Sequence, residues 1–558
     1  MYSNLLDKEK AVMSFNITFN GEQKTYDKPI TVLDVVGTDR SIVCAYVNNR
    51  VRELTYVLEK DATVVALTCK DRDAKQTYEA SLRFLVAMAM KNIHPEASVR
   101  FSYNISRAVF MQILTPGVVT NNTLVKELVE EMNRIVDADY PLVRSILSKE
   151  EMKKVFEKEG YEDKLEILEY RPEKTCHIYT CNGYKNYMYN RMVPSTGYIK
   201  KWRIRYYHPG VLIQYPREEV GGEIPEFEDS QTFAKTLKRA HEWAVATRFD
   251  SIVNINHRIE HDGDIDVITL GEQRHNRQLC ELGELIEGDI DNIRLICIAG
   301  PSSSGKTTFA NRLRIELLSR GIDPIRISMD DYYLPRDLAP KDENGDPDLE
   351  SVEALDIDLF NQNMADLIAG EEVELPKFDF KEGHRVKGRT LRVPDNQPII
   401  IEGIHALNDR MTQSIPQHQK FKIFIAPQGQ INIDNHNPLS LTDLRLLRRI
   451  VRDYQFRGAS ALETMSMWAS VRKGEFKWIY HTQEGANYVF NSYLPEELSV
   501  MKKYAMPLLQ AIDQENPYFP VAERLIRMLK FFDSMSDKWV PCNSILREFI
   551  GGSCYADV

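Results

Sequence analysis

Gly300-Pro301-Ser302-Ser303-Ser304-Gly305-Lys306-Thr307 fits the spacing G-x-x-x-x-G-K-[ST] at every fixed position. Small residues let the backbone curl until its N–H groups face phosphate oxygens. Lys306 can then reach the β- and γ-phosphates, and the Thr307 hydroxyl can ligate Mg²⁺. A helix that starts here adds its positive N-terminal end. The flanks agree with this reading. Ile293-Arg294-Leu295-Ile296-Cys297-Ile298-Ala299 is a short apolar run of the kind a buried parallel strand shows. Phe309, Leu313 and Leu317 recur every fourth residue, and Gly321 is a helix stop. Strand, glycine loop and helix together predict an ATP phosphate site from Gly300 to Thr307, with Thr308 in the helix's first turn.

Working downstream, Pro324-Ile325-Arg326-Ile327-Ser328-Met329 reads as the next strand and delivers Asp330-Asp331-Tyr332-Tyr333 at its end. Carboxyl ends of strands in an open α/β sheet face the ligand, so Asp330 and Asp331 emerge beside the phosphates. A carboxylate there can orient and deprotonate an acceptor hydroxyl, or hold Mg²⁺. Pro398-Ile399-Ile400-Ile401-Glu402 is a second buried strand ending in an acid, placed to bind the metal directly or through water. Arg445, Arg448, Arg449 and Arg452 stand at i, i+3, i+4, i+7, with Arg457-Gly458 beyond them. The spacing predicts four guanidiniums on one helix face, a lid that closes on phosphates and stabilises the transferring phosphoryl group.

The whole chain bounds these readings. At 558 residues it exceeds a single core, and it predicts three or four domains. Hydrophobic content of 43% and charged content of 27% are those of an ordinary globular protein. No eighteen-residue apolar run exists, and Met1 to Lys10 lacks the apolar stretch of a secretory signal. Eight irregularly spaced cysteines suit a reducing cytoplasm. A net charge of −11 argues against a general nucleic-acid coat protein but leaves room for a local basic patch.

Residues 13–70 read as a small β-rich module. Ser14 to Phe19 alternates, Asn20-Gly21 supplies a hairpin turn, and Ile42–Val47, Tyr56–Leu58 and Thr63–Leu67 are strand-like. Together with Thr31-Val32-Leu33-Asp34 and Ala45-Tyr46-Val47-Asn48-Asn49-Arg50-Val51, this resembles the TGS domain of threonyl-tRNA synthetases, a β-grasp fold, over 1–70. Residues 71–225 resemble the second additional domain of threonyl- and alanyl-tRNA synthetases, which edits mischarged tRNA there. The chain departs from that family's metal-type site. Tyr78-Glu79-Ala80-Ser81-Leu82 has lost both histidines of H-x-x-x-H, and Lys185 replaces the histidine after Cys181-Asn182-Gly183. Cys181 alone holds no metal, so the expectation is the fold without the editing chemistry.

From Lys174 to Arg217 there is no acid, while basic residues interleave with Tyr184, Tyr187, Tyr189, Tyr198, Trp202, Tyr206 and Tyr207. One reading is strands with a buried aromatic face; others are contact with single-stranded RNA or tRNA, or a small-anion site. Residues 226–290 read as a helical connector interrupted by a loop at His257–Asp264, whose histidines suit a solvated turn better than a metal. Residues 511–558 form a tail with a helical stretch at Val521–Phe532.

Gly300–Thr307, Ser328–Tyr333, Pro376-Lys377-Phe378-Asp379-Phe380, Ile401–Ile404 and Arg445–Gly458 occur in the order and spacing of the uridine/cytidine kinase and phosphoribulokinase family, which residues 291–510 resemble. The resemblance implies a P-loop parallel-sheet domain, so the chain is expected to be multidomain α/β. It also implies transfer of the ATP γ-phosphate to a sugar hydroxyl with Mg²⁺ held by Thr307, Glu402 and Asp330. Asp330 matches the family's general base, and Arg449, Arg452 and Arg457 match lid arginines. Glu353 stands where the nucleoside kinases carry an Asp that holds ribose hydroxyls. Tyr333, Phe378, Phe380, His384 and Arg449 are assigned to the acceptor. Phe378 replaces a Tyr, His384 lies one residue late, and Ala459 replaces an Arg, so the departures fall on acceptor-reading positions. The expected activity is phosphorylation of a nucleoside 5′-hydroxyl, uridine or cytidine first. The alternatives are a kinase of another sugar or sugar phosphate, and an RNA-binding protein switched by ATP. Self-association stays open.

Overall fold

The structure is a computed structural model that describes residues 14–335, 337–341, 345, 347–379, 382–394, 397–429 and 431–556. It divides into two compact units, one of Met1–Glu228, Asn432–Pro438 and Ile512–Glu523, the other of Asp229–Ile431, Leu439–Ala511 and Arg524–Val558. The fold class is multidomain α/β, with a parallel-sheet P-loop domain in the second unit.

In the first unit, Phe15–Phe19 and Glu22–Tyr26 pair as an antiparallel hairpin around Asn20-Gly21. Phe15–Phe19 also pairs in parallel with Ala62–Thr68, which continues antiparallel to Ile42–Val47. The short helix Val32–Val36 begins at a capping box in which Thr31 and Asp34 satisfy each other's backbone N–H groups. A 22-residue helix, Arg72–Ile93, follows and is buried along most of its length. It packs with a four-stranded sheet ordered Arg203–Tyr207, Gly210–Gln214, Ala108–Ile113, Val99–Ile105. Phe15, Ile17, Leu85, Phe101 and Tyr215 belong to one core cluster, so burial runs continuously across the position 70 boundary.

Two later segments of the chain complete this unit. Asn432–Pro438 is threaded into it: Asp434 pairs with the fully buried Lys164 at 2.7 Å, and Phe101 N donates to Asn435 O at 2.8 Å. Nothing in the local sequence signals this, because the partners lie 270 and 334 residues away.

The second unit holds a five-stranded sheet, ordered Ile325–Ser328, Ile399–Glu402, Leu295–Ala299, Lys420–Ala426, Tyr488–Asn491, with every neighbouring pair parallel. Leu295–Ala299 and Ile399–Glu402 are buried along their whole length and Lys420–Ala426 over its last four residues, as strands covered on both faces must be. The connector belongs to this unit. His257–Asp264, expected as a loop, lies within the helix Ile252–Glu287, whose one break is Gly263 at φ 83°. The polar run reads as a turn by composition, but it occupies the solvent side of a helix that packs on the phosphate-loop helix through Glu272 and Arg312 (3.0 Å). The tail helix spans Phe519–Leu529.

Candidate active site

The strand Leu295–Ala299 ends at Gly300, and the helix Lys306–Ser319 begins directly after Gly305. A Cβ on Gly300 would overlap the carbonyl oxygen of Ile425 on the adjacent strand, so only glycine lets the loop leave the sheet here. Gly305 has φ 90° and Ser303 φ 60°, the left-handed backbone that turns successive N–H groups inward. Lys306 Nζ donates to the carbonyls of Gly300 and Pro301 at 3.1 and 3.3 Å, which curls the side chain over the loop. Burial lowers its pKa, and Glu402 and Asp330 oppose that shift.

Register fixes the acids. Ser328 and Ile298 both lie opposite Glu402, so the two strand ends meet beside the loop. Ser328 Oγ donates to Glu402 Oε1 at 3.2 Å. Burial, with Asp330 as the next cause, pushes the Glu402 carboxyl up to about 7. Asp330 sits in the single turn Met329–Tyr332 and is likewise raised by burial, against the pull of Lys306, Arg457 and Arg452. Asp330, whose charge raises Glu402, and Glu402 itself lie at neighbouring strand ends, and with the Thr307 hydroxyl of the helix's first turn they offer a donor set that suits a hard dication. Mg²⁺ takes few protein oxygens and completes its shell with phosphate and water. Asp331 is committed elsewhere, accepting from Phe378 N at 3.2 Å.

The arginine helix spans Leu441–Phe456, and the structure corrects its expected role. Arg445 and Arg448 are not free lid groups. Arg445 pairs with Glu475 and donates to Ser302 O from Nε and Nη2 at 3.0 and 2.9 Å. Arg448 is fully buried, pairs with Glu497 through Nε at 2.7 Å, and reaches Ser303 O at 3.3 Å. Both brace the glycine loop from behind. Glu475 and Glu497 come from segments that sequence spacing could not connect to this face. Arg449 donates to Ser302 Oγ at 3.0 Å, and Arg449, Arg452 and Arg457 converge on one carboxylate, Asp453, at 3.2, 2.8 and 3.7 Å. Three cations around one anion leave positive charge to spare. Arg452 is the largest cause pushing Arg457 down to about 10.

Of the residues expected to meet an acceptor, Tyr333 and Phe378 approach with ring centroids 5.8 Å apart, and Tyr333 OH donates to Leu349 O at 3.2 Å. Glu353 is exposed and paired with Arg410 at 2.5 Å. The carboxyl whose charge is felt with Lys306 and Arg449 is Glu350, three residues earlier. Burial, then Glu475, pushes it up to about 7, and Arg449 and Lys306 oppose this. Its Oε2 has no hydrogen-bond partner among the described residues. Sequence reasoning did not single out Glu350, which lies two residues before Val352 and outside the matched motif. His384 is exposed at the start of the strand His384–Arg392, opposite Asp379. Phe380 lies outside the described residues.

In the first unit, Cys181 is buried and its thiol is pushed up to about 11 by burial. Among the described residues no three His, Cys, Asp or Glu side chains group as metal ligands. Of the basic aromatic segment, Tyr187 and Tyr198 are buried, whereas Lys200, Trp202, Arg203 and Arg205 line a cleft of about 920 Å³ with Arg40, Asp137 and Asp139. No described helix is long and apolar enough to cross a membrane.

A parallel sheet with a glycine loop and strand-end acids defines a P-loop nucleotide-binding domain. Residues 295–498 match the Phosphoribulokinase / Uridine kinase family, and the second unit carries a domain of that family. Threonine–tRNA ligase of Hahella chejuensis (strain KCTC 2396) is 30% identical over 191 residues, 33% of this chain and 30% of that one, a likeness that lies in the N-terminal part. Inorganic pyrophosphatase TTM2 of Arabidopsis thaliana is 31% identical over 175 residues, 31% of this chain and 22% of that one. The chain thus spans less than a third of the length of either relative. Among solved structures, that of a possible uridine kinase from Bacillus stearothermophilus is 18% identical, with 39% of this chain and 98% of that one covered and a TM-score of 0.28.

Proposed function

We propose that the second unit is an ATP-dependent kinase that phosphorylates the 5′-hydroxyl of a ribonucleoside, uridine or cytidine first. The observation that carries this reading is the juxtaposition of Asp330 and Glu402 with Lys306 at the carboxyl end of the parallel sheet. Asp330 takes the proton from the acceptor hydroxyl as its oxygen bonds to the γ-phosphorus. The bond from the γ-phosphorus to the bridging oxygen breaks, and ADP carries away the electron pair. Lys306, Arg449, Arg452 and Arg457 meet the charge on the transferring group. Thr307, Glu402 and Asp330 would hold Mg²⁺, which would supply neutralisation of the phosphate charge. Tyr333 and Phe378 supply aromatic faces for a base, and Glu350 has an oxygen free to accept from ribose hydroxyls. Because Phe378 offers no hydrogen bond, discrimination between uridine and cytidine is expected to be small.

The test is steady-state kinetics with ATP against uridine, cytidine, 2′-deoxyuridine and ribulose 5-phosphate. Preference for the ribonucleosides supports the reading, and activity on the sugar phosphate alone replaces it with a sugar-phosphate kinase. A second reading concerns the first unit. The cleft lined by Lys200, Trp202, Arg203 and Arg205 favours contact with RNA, with no editing chemistry at Cys181. A tRNA gel shift that is lost in a Lys200→Glu, Arg203→Glu protein supports it, and no shift in the parent protein rejects it.

A further inference from the structure

The tail beyond the arginine helix returns to the glycine loop. Glu548 accepts from Thr308 at two points, the backbone N–H at 3.2 Å and Oγ1 at 2.9 Å. Thr308 is the third residue of the phosphate-loop helix, and its N–H is one of the first-turn donors that a P-loop offers to nucleotide phosphate oxygens. Beside it, a Cβ on Gly305 would overlap Cγ2 of Ile545, so the tail lies directly on the glycine that turns the loop. The Glu548 charge also acts on Lys306 and Glu402.

The segment is anchored. Ile545, Leu546, Phe549 and Ile550 are all buried. The Arg448 guanidinium lies over the Phe549 ring at 4.9 Å, and Gln455 Nε2 donates to Phe549 O at 3.1 Å. The tail therefore touches the loop that binds phosphate and the helix that braces this loop. A carboxylate carries the charge and acceptor geometry of a phosphate oxygen pair. Placed on a first-turn N–H, it satisfies that donor and adds negative charge to a cradle built for a polyphosphate.

We propose that Glu548 is a built-in stand-in for a nucleotide phosphate, and that the 544–550 segment must shift before ATP seats fully. The proposal rests on the reading of Gly300–Thr308 as the ATP phosphate site. It makes the tail a competitor of ATP within the same chain, and gives any partner that holds the tail away a route to activate the site.

The experiment compares ATP affinity of the full-length protein and its Glu548→Gln variant by calorimetry, with thermal melting to confirm folding. Gln keeps the shape and removes the charge. ATP should bind the variant more tightly, on the order of tenfold, the size of one charge-assisted hydrogen bond removed from the competitor. Hydrogen exchange on the unmodified protein adds an independent readout, in which ATP should speed exchange across 544–550. Equal or weaker ATP binding by a folded Glu548→Gln protein, or tail exchange that ATP slows or leaves unchanged, overturns the proposal and leaves the kinase reading intact. Absence of ATP binding in both proteins overturns both.

Discussion

Asp331 accepts the backbone N–H of Phe378 at 3.2 Å, while its neighbour Asp330 lies in the field of Lys306, Arg457 and Arg452. One turn of chain thus gives two adjacent carboxylates different tasks. Asp330→Asn should keep ATP binding and lose transfer by about 10²-fold or more, because an amide cannot take the proton. Asp331→Asn should keep transfer within about tenfold and raise the acceptor KM, since it loosens the strand that carries Phe378. Rapid-quench turnover alongside ATP binding separates the two, and the reverse pattern would assign the base to Asp331.

Glu350 and Glu353 divide in the same way. Glu353→Gln breaks an exposed pair with Arg410 and should change kinetic constants less than about twofold. Glu350→Gln should raise the acceptor KM at least tenfold and leave the ATP KM nearly unchanged. Equal effects of the two substitutions on acceptor KM would remove Glu350 from the acceptor site.

The Glu350 carboxyl also predicts a pH signature. Its folded-state pKa is raised to about 7 from 4.5, so the folded protein holds this proton where the unfolded chain has released it. Its contribution to stability is full below the unfolded value and is lost as pH rises through about 7. Acceptor binding uses the ionised form, so acceptor KM should fall as pH rises across the same window. Glu350→Gln should flatten the KM dependence and shrink the stability dependence, of which Glu402, also raised to about 7, keeps its share, as read by KM and melting temperature between pH 5.5 and 8. An unchanged KM profile would count against the assignment.

Much of this site was legible because its parts are local. A glycine loop between an apolar strand and a four-residue repeat has one structural solution, and acids at the ends of buried strands must face the ligand. The Asn20-Gly21 hairpin was legible for the same reason. What escaped were relations through space. Nothing near Arg445 or Arg448 indicates Glu475 or Glu497, so the four arginines read as one free face. Nothing near Glu548 indicates Thr308. The His257–Asp264 stretch misled by composition, since exposed helix residues and loop residues are equally polar, and its glycine marks a kink within a helix. Glu350 escaped because its burial and its place near Arg449 and Lys306 are relations through space, whereas the resemblance points only to Glu353.

Arg448 is sealed from solvent and paired with Glu497. Arg448→Ala leaves a buried carboxylate uncompensated and should cost about 3–5 kcal/mol in denaturant unfolding. Replacing both partners, Arg448→Met with Glu497→Leu, should recover part of that loss. A single variant as stable as the parent would show that the pair does not brace the loop.

The central claim is that the γ-phosphate of ATP passes to an acceptor hydroxyl at the Lys306 loop. Its most direct test supplies γ-labelled ATP, Mg²⁺ and uridine to the full-length protein and to Lys306→Ala, and follows the label. The account predicts label on the nucleoside 5′-oxygen with the parent protein. It predicts loss of that product in the folded variant, reflecting about 3 kcal/mol or more of transition-state stabilisation. Label appearing only as inorganic phosphate, or transfer at a near-parental rate by Lys306→Ala, would contradict it.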